Sequence, residues 1–263
     1  MDMGIKDRVA LVAGASKGLG KAVAQGLAAE GCHLALCARN QKALAQAAQE
    51  LSAEFKVRVF TQGLDLADGQ AAAAFAQEAQ QRLGSVDILV NNAGGPPAGS
   101  FVELEPAAWQ KAVDLTLFSA QALTRAVLPG MRQRRWGRVV NLTSISVKQP
   151  LPGLILSNSI RAAVVGWAKT LADEVGADQI TVNNVCTGWT LTERVEELLA
   201  HRSRIQGVSR EEALATVVTD IPLGRVGRPE ELAALVVFLA SEQASYITGV
   251  SYAIDGGLCR SLT

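Results

Sequence analysis

Cysteine, histidine and tyrosine are scarce in this chain of 263 residues, which contains four cysteines, two histidines and two tyrosines. The cysteines form no Cys-x-x-Cys pair and have no histidine at metal-ligand spacing, so the pattern indicates neither a metal site nor a disulfide framework. A chain of this length buries enough apolar surface to fold without such crosslinks. Isolated cysteines are typical of a reducing compartment, and we expect a cytoplasmic protein without a bound metal.

Long apolar runs and an excess of charge of either sign are also absent. The longest wholly apolar run, residues 232–240, is less than half of the roughly 20 residues that a membrane helix needs, and the chain does not open on a basic segment followed by a long apolar stretch. Basic and acidic side chains number 25 each, so no electrostatic basis for general nucleic-acid binding exists. We expect a protein that neither crosses a membrane, nor is exported, nor binds nucleic acid.

Short apolar segments alternate with longer amphipathic ones along the whole chain. The short segments predict strands at residues 9–13, 34–38, 57–60, 86–90, 138–142, 180–185 and 251–254. Most are apolar on both faces, as parallel strands covered by helices are. The longer segments predict helices at residues 20–29, 41–53, 69–82, 109–134, 159–175 and 230–241. The pattern predicts an α/β protein with a doubly wound parallel sheet and helices on both faces.

No repeat or flexible linker divides the chain, so we predict a single domain over residues 1–263. One segment departs from the alternation. Residues 190–220 form a polar, helical insertion between the last two predicted strands. Long insertions of this kind frequently cover a site, so the insertion is a candidate lid.

A glycine-rich loop, Gly14-Ala15-Ser16-Lys17-Gly18-Leu19-Gly20, follows the first predicted strand and leads into a helix. Glycine permits a tight turn and close backbone approach, and the free N–H groups of a helix N-terminus bind phosphate. The spacing is G-x-x-x-G-x-G rather than G-x-G-x-x-G, but the position between strand and helix favours a dinucleotide site. A turn that needs glycine only for its backbone is the alternative.

The end of the second predicted strand indicates which dinucleotide is bound. A carboxylate there favours NAD, because it binds the ribose hydroxyls, whereas an arginine accommodates the 2′-phosphate of NADP. The chain has Ala38-Arg39-Asn40 at this point, and Lys17 adds a second positive charge. We predict NADP(H) as the cofactor; the alternative is that Arg39 is only a surface charge.

Further motifs then carry a family resemblance. They are Asp65-Leu66, Asn91-Asn92-Ala93-Gly94, Pro222-Leu223-Gly224-Arg225, Pro229-Glu230-Glu231-Leu232-Ala233, Phe238-Leu239-Ala240-Ser241 and Ile247-Thr248-Gly249 followed by Asp255-Gly256-Gly257. Over nearly its whole length the chain resembles the short-chain dehydrogenase/reductase family, most closely the branch of 3-oxoacyl-carrier-protein reductases and sugar or polyol dehydrogenases. The resemblance implies a Rossmann-type sheet of seven parallel strands and a nicotinamide cofactor.

The resemblance also implies an assembly and a set of cofactor contacts. The long helices predicted at residues 109–134 and 159–175 carry apolar surface that one side of a sheet cannot cover, so a homotetramer or homodimer is expected. Family members place comparable residues beside the cofactor. These are Gly14, Ser16, Lys17, Gly18, Leu19 and Gly20 at the phosphates, Asp65 and Leu66 at adenine, Asn92 and Gly94 at ribose, and Gly188, Thr190 and Thr192 at the nicotinamide.

The catalytic positions implied by the resemblance are where the chain departs from the family. Family members use a Tyr-x-x-x-Lys motif, an upstream serine that binds the carbonyl oxygen, and an asparagine on the preceding helix. Ser144 falls on the serine and Thr116 on the asparagine. The register of the flanking helix then puts Ser157 on the tyrosine and Arg161 on the lysine.

These replacements leave two hypotheses. Tyr246 and Tyr252 lie in the C-terminal motif, so no other phenol is expected at the site. Loss of general acid catalysis costs typically about 10²–10⁴-fold, which still permits an enzyme. The first hypothesis is an NADP(H)-dependent oxidoreductase that interconverts a small carbonyl and alcohol, in which Ser144 and Ser157 polarise the oxygen and Arg161 fixes cofactor or substrate charge. The second is a nucleotide-binding pseudoenzyme that acts as a sensor or partner subunit.

Overall fold

A computed structural model describes residues 2–262 and shows one sheet of parallel strands. The strands are β1 (Val9–Ala13), β2 (His33–Ala38), β3 (Val59–Gly63), β4 (Ile88–Asn91), β5 (Gly137–Ser144), β6 (Ile180–Thr187) and β7 (Ser251–Ile254). Their order, β3-β2-β1-β4-β5-β6-β7, makes a seven-stranded doubly wound sheet whose direction of winding reverses between β1 and β4. The predicted fold class is confirmed.

Helices cover both faces of this sheet. They are α1 (Gly18–Ala29), α2 (Gln41–Phe55), α3 (Gly69–Leu83), α4 (Pro106–Val113), α5 (Ser119–Arg134), α6 (Ile155–Val175), α7 (Glu193–Gln206), α8 (Arg210–Asp220) and α9 (Pro229–Ala240). Successive strand residues point to opposite faces, so two core clusters form. Val12 of β1 packs in the cluster that includes α1, α2 and α9, and Leu11 packs in the cluster that includes α3, α5 and α6.

The third strand lies two residues later than its apolar segment predicts. Lys56 ends α2 in a left-handed conformation, with φ of 57°. The residues that follow it lead the chain back to the sheet before pairing begins. Val59 is then the first residue to pair, opposite Leu34 of β2. Helix capping, which apolarity alone does not encode, therefore sets the start of β3.

The predicted helix over residues 109–134 is divided in the structure. It begins earlier, at Pro106, because proline suits the first turn of a helix. A π turn, Asp114–Phe118, then separates α4 from α5. Such turns are frequent at functional sites, and this one carries Thr116.

The insertion at residues 190–220 contains α7 and α8, which share a small apolar core of their own. That core consists of Val195, Leu199, Ala213, Val217 and Ile221. Because these side chains pack on one another, the insertion holds its shape beside the sheet. Within residues 2–262, no helix is both long and apolar enough to span a bilayer. The predicted single domain also includes Met1 and Thr263, which lie outside the described residues.

Candidate active site

A cavity of about 670 Å³ opens at the carboxyl ends of the strands. It lies where the winding direction reverses between β1 and β4, which is the ligand-binding position in doubly wound sheets. The predicted site residues that line it are Gly14, Ser16, Lys17, Gly18, Leu19, Arg39, Asp65, Leu66, Asn92, Gly94, Ser144, Ser157, Arg161, Gly188, Thr190 and Thr192. Gly20 and Thr116 do not line this cavity. One cavity thus joins both groups of predicted residues.

Gly20 acts behind the cavity wall, at the junction of β1 and α1. A Cβ atom on Gly20 would collide with the Gly14 carbonyl oxygen and would lie 2.8 Å from Asn92 Nδ2. Asn92 Nδ2 donates hydrogen bonds to the carbonyl oxygens of Ala13, at 3.1 Å, and Gly14, at 3.3 Å. The asparagine therefore ties the glycine loop to the end of β4, and only glycine at position 20 allows this close approach.

The N-terminus of α1 is open toward the cavity. Lys17, the N-cap residue, makes no side-chain capping hydrogen bond, so the first N–H groups of α1 have no side-chain acceptor from the cap. Gly14 and Gly18 have φ values of 61° and 55°, which residues with a Cβ atom rarely adopt. Free N–H groups and a glycine backbone are what a pyrophosphate requires at this position.

The edge beyond β2 is positively charged. Arg39 and Lys17 are both exposed and both line the cavity. Asn40 uses its side chain to cap α2, since its Oδ1 accepts a hydrogen bond from Ala43 N at 3.0 Å. Asp65, at the end of β3, accepts a hydrogen bond from Ala67 N at 3.0 Å. Two cations thus line this cavity, and no carboxylate directly follows β2, which suits a 2′-phosphate.

The opposite end of the cavity is built by β5 and α6. Ser144 ends β5, and its Oγ accepts a hydrogen bond from Ser146 N at 3.1 Å, which leaves the hydroxyl proton to donate elsewhere. Ser157 and Arg161 lie one turn apart on α6, so they share a helix face, and both line the cavity. Two hydroxyls and a guanidinium thus meet at one end of the cavity.

Arg161 has a strongly shifted pKa at this end of the cavity. Its Nη1 donates to the Leu142 carbonyl oxygen at 2.8 Å. Burial, and secondarily the charge of Arg194, lowers the pKa of Arg161 from 12.5 to about 10. The guanidinium is still protonated at neutral pH, so it can bind an anion but cannot exchange protons there.

Thr116 lies in a second, smaller cavity of about 20 Å³ behind Arg161. The Thr116 hydroxyl and the Asn91 side-chain oxygen are buried there without a hydrogen-bond partner among residues 2–262. Asn91 Nδ2 donates to Asn141 Oδ1 at 2.9 Å, and Asn141 Nδ2 donates to Asn184 Oδ1 at 3.0 Å. The cavity has the size and polarity of a buried water site. Arg161 lines both cavities, together with Asn92, Ala93, Leu142 and Thr143, whereas Thr116 lines only the smaller one.

Some cavity residues were not predicted from the sequence. Arg194, on α7, lines the cavity and donates from Nη2 to the Pro96 carbonyl oxygen at 2.7 Å. It is one of several charges on a polar helix, and nothing in the sequence distinguishes it from Arg202 or Arg204. Asn91 stands beside Asn92 in the quoted motif, but only the packing of the strands shows that its side chain faces the small cavity.

Comparison with known proteins identifies the family. The family model described as "Enoyl-(Acyl carrier protein) reductase" matches residues 14–259. The chain is 37% identical to the granaticin polyketide synthase putative ketoacyl reductase 1 of Streptomyces violaceoruber, covering 95% of this chain and 92% of that protein. It is 35% identical to the 3-oxoacyl-[acyl-carrier-protein] reductase FabG of Pseudomonas aeruginosa, covering 98% and 100%.

A solved structure is similarly close. The L-sorbose reductase of Gluconobacter frateurii, crystallised with NADPH and L-sorbose, superposes with a TM-score of 0.94 at 37% identity and full coverage of both chains. Full-length matches to reductases, at this identity, define the family. The chain belongs to the short-chain dehydrogenase/reductase family and is similar to its 3-oxoacyl-carrier-protein reductases and ketoreductases.

Proposed function

We propose that the protein is an NADP(H)-dependent oxidoreductase that interconverts a small carbonyl compound and its alcohol. The observation that carries the proposal is the single cavity of about 670 Å³, which has a dinucleotide cradle at one end and two serines with an arginine at the other. The relatives are reductases, and one neighbouring structure holds NADPH together with a sugar substrate. The shared fold and this cavity support the same class of reaction here.

The residues of the cradle suit the parts of the cofactor in order. The glycine loop and the open N-terminus of α1 hold the pyrophosphate, and Arg39 with Lys17 holds the 2′-phosphate. The adenine, ribose and nicotinamide contacts come from the ends of later strands and from the start of the insertion. They are made by Asp65, Leu66, Asn92, Gly94, Gly188, Thr190 and Thr192. The chemistry that bound NADPH supplies is a hydride for the carbonyl carbon.

Ser144 and Ser157 bind the carbonyl oxygen by donating hydrogen bonds as it gains negative charge. Arg161 supplies a fixed positive charge beside them. A serine hydroxyl is a far weaker acid than tyrosine, whose pKa is about 10, so neither serine readily delivers a proton near neutral pH. The proton that completes the alcohol therefore comes from water, and the reaction is slower than one with a resident acid.

A cofactor preference follows from the charges at Arg39 and Lys17. We expect NADPH to bind at least about tenfold more tightly than NADH, because charge-assisted hydrogen bonds contribute about 1.5–3 kcal/mol. Fluorescence titration of both cofactors measures this. Arg39→Ala should remove most of the preference, whereas Lys111→Ala, on exposed α4, should leave it unchanged. Equal affinities in the wild type would contradict the assignment.

A pseudoenzyme is the second candidate, and the missing phenol favours it. Neither tyrosine lines the cavity, and Tyr246 is fully exposed. NADPH oxidation across a panel of activated carbonyls, with NADPH binding measured separately, distinguishes the two. An oxidoreductase oxidises NADPH with at least one of them, and Ser144→Ala lowers that rate. Binding without any oxidation identifies the pseudoenzyme.

We also propose that the chain assembles as a homotetramer or homodimer. Large apolar side chains are exposed outside the cavity, including Phe118 at the end of the π turn before α5 and Val102 before α4, which are 48% and 87% exposed. Apolar surface of this kind is usually covered by symmetric pairing. Light scattering at micromolar concentration should give a multiple of 27.6 kDa. A particle of 27.6 kDa alone would refute assembly.

A further inference from the structure

Two arginines from different elements line the substrate end of the cavity. Arg161 comes from α6 and Arg194 from α7 of the insertion. Arg194 pairs with Glu197 at 3.2 Å, and this glutamate is 62% exposed. Within residues 2–262, no carboxylate forms an ion pair with Arg161. A half-buried guanidinium without a counterion is costly, and a bound anion would offset that cost.

The acidic residues of the cavity lie elsewhere. The acidic side chains that line it are Asp65 and Glu193. Asp65 follows β3, which is four strands from β5, or about 19 Å at the usual strand spacing. Glu193 is directed toward the glycine loop, since its Oε2 lies 3.7 Å from a Cβ placed on Gly18. Neither carboxylate is placed to neutralise Arg161.

The phosphates of a dinucleotide do not neutralise Arg161 either. The glycine loop follows β1 and Arg39 follows β2, whereas Arg161 donates to the backbone of β5. These strands are two and three positions from β5, so the phosphate sites lie about 10 and 14 Å away. A negative charge beside Arg161 would therefore come from the substrate.

We propose that the substrate is an oxo acid whose carboxylate binds between Arg161 and Arg194, next to the carbonyl held by Ser144 and Ser157. The proposal rests on the function proposed above and names its substrate class. Among residues 2–262, Arg161 donates one hydrogen bond, from Nη1, so its other N–H groups remain for a ligand. A guanidinium edge matches the two oxygens of a carboxylate.

Apolar side chains also line this end of the cavity. Leu151, Leu154 and Trp189 line it beside the arginines. These side chains can cover an aliphatic or aromatic group but offer little to a second charged group. The walls therefore favour a monocarboxylic acid with an apolar body over a sugar or a phosphate ester.

Calorimetric binding of an unreactive pair to the NADP⁺-saturated protein tests the proposal. We expect phenylacetate to bind at least tenfold more tightly than phenylacetamide, which has the same shape without the charge. Arg161→Met should abolish this difference and Arg194→Gln should reduce it. Arg204→Gln, at an exposed residue of α7 outside the cavity, should retain it. Circular dichroism and NADPH titration verify that each variant is folded. If Arg161→Met does not fold, the Arg194→Gln variant provides the test.

Several outcomes would overturn the proposal. These are equal binding of acid and amide, no binding of either, a charge preference that survives both arginine replacements, and tighter binding of phenyl phosphate than of phenylacetate. Failure of the proposed function gives a different result. In that case phenylacetate still binds in an arginine-dependent way, but phenylpyruvate produces no oxidation of NADPH.

Discussion

Replacing Ser157 by tyrosine together with Arg161 by lysine is expected to raise turnover on a simple activated ketone by a factor on the order of 10² or more. The two positions share one face of α6 and both line the cavity, so the new phenol would stand beside Ser144. A neighbouring lysine lowers the pKa of the tyrosine phenol by its positive charge. A tyrosine introduced without the lysine lacks this effect. The initial rate of NADPH oxidation, at saturating NADPH, measures the gain.

The single replacements are the matched controls. Ser157→Tyr alone and Arg161→Lys alone should each help less than the pair, because the acid and its activating charge work together. Ser144→Ala should lower the activity of the wild type and of the double variant, since both lose a donor to the oxygen. If the double variant folds and binds NADPH but loses activity on the native substrate, Ser157 and Arg161 are themselves functional residues of a site that differs from the family's.

Gly20→Ala is expected to weaken NADPH binding by about tenfold to a hundredfold, since overpacking of this kind costs about 1–3 kcal/mol. The added Cβ collides with the Gly14 carbonyl oxygen, and the loop can relieve the collision only by moving away from Asn92. That movement changes the cradle without altering any charge. Fluorescence titration with NADPH measures the loss.

Gly166→Ala is the control for this substitution. Gly166 lies on α6, and a Cβ there would meet no atom within 4 Å. The replacement should leave NADPH affinity unchanged and slightly stabilise the helix, by about 0.5–1 kcal/mol. If Gly20→Ala binds NADPH like the wild type, the close approach of loop and helix is not needed for the cradle.

The sheet could be predicted because its signal is local. A strand such as β1, buried at all five residues, reads as apolar on both faces, and helices between such strands imply parallel pairing. The start of β3 could not be predicted this way, because the left-handed cap at Lys56 determines it. The motif in the sequence identified the glycine loop. The close approach of Gly20 to the Gly14 carbonyl oxygen could be recognised only in the packed structure.

Some residues of the candidate site could be predicted from the sequence and others could not. Ser157 and Arg161 were placed by the register of one helix and Ser144 by the resemblance of the segment around it, and all three line one cavity. Thr116 was placed by the resemblance of its own segment to the family's asparagine position, but the π turn buries it in the smaller cavity. Arg194 reaches the site from a polar helix of the insertion, so its role depends on tertiary packing alone.

The proposed reaction transfers a hydride from NADPH to a carbonyl carbon in this cavity. The most direct measurement uses NADPH carrying deuterium at the transferred position, an oxo acid such as phenylpyruvate, and mass spectrometry of the product. We expect a hydroxy acid with one deuterium on the carbinol carbon for each NADPH consumed, formed more slowly by the Ser144→Ala variant. Tight NADPH binding with no deuterated alcohol from any carbonyl tested would contradict it.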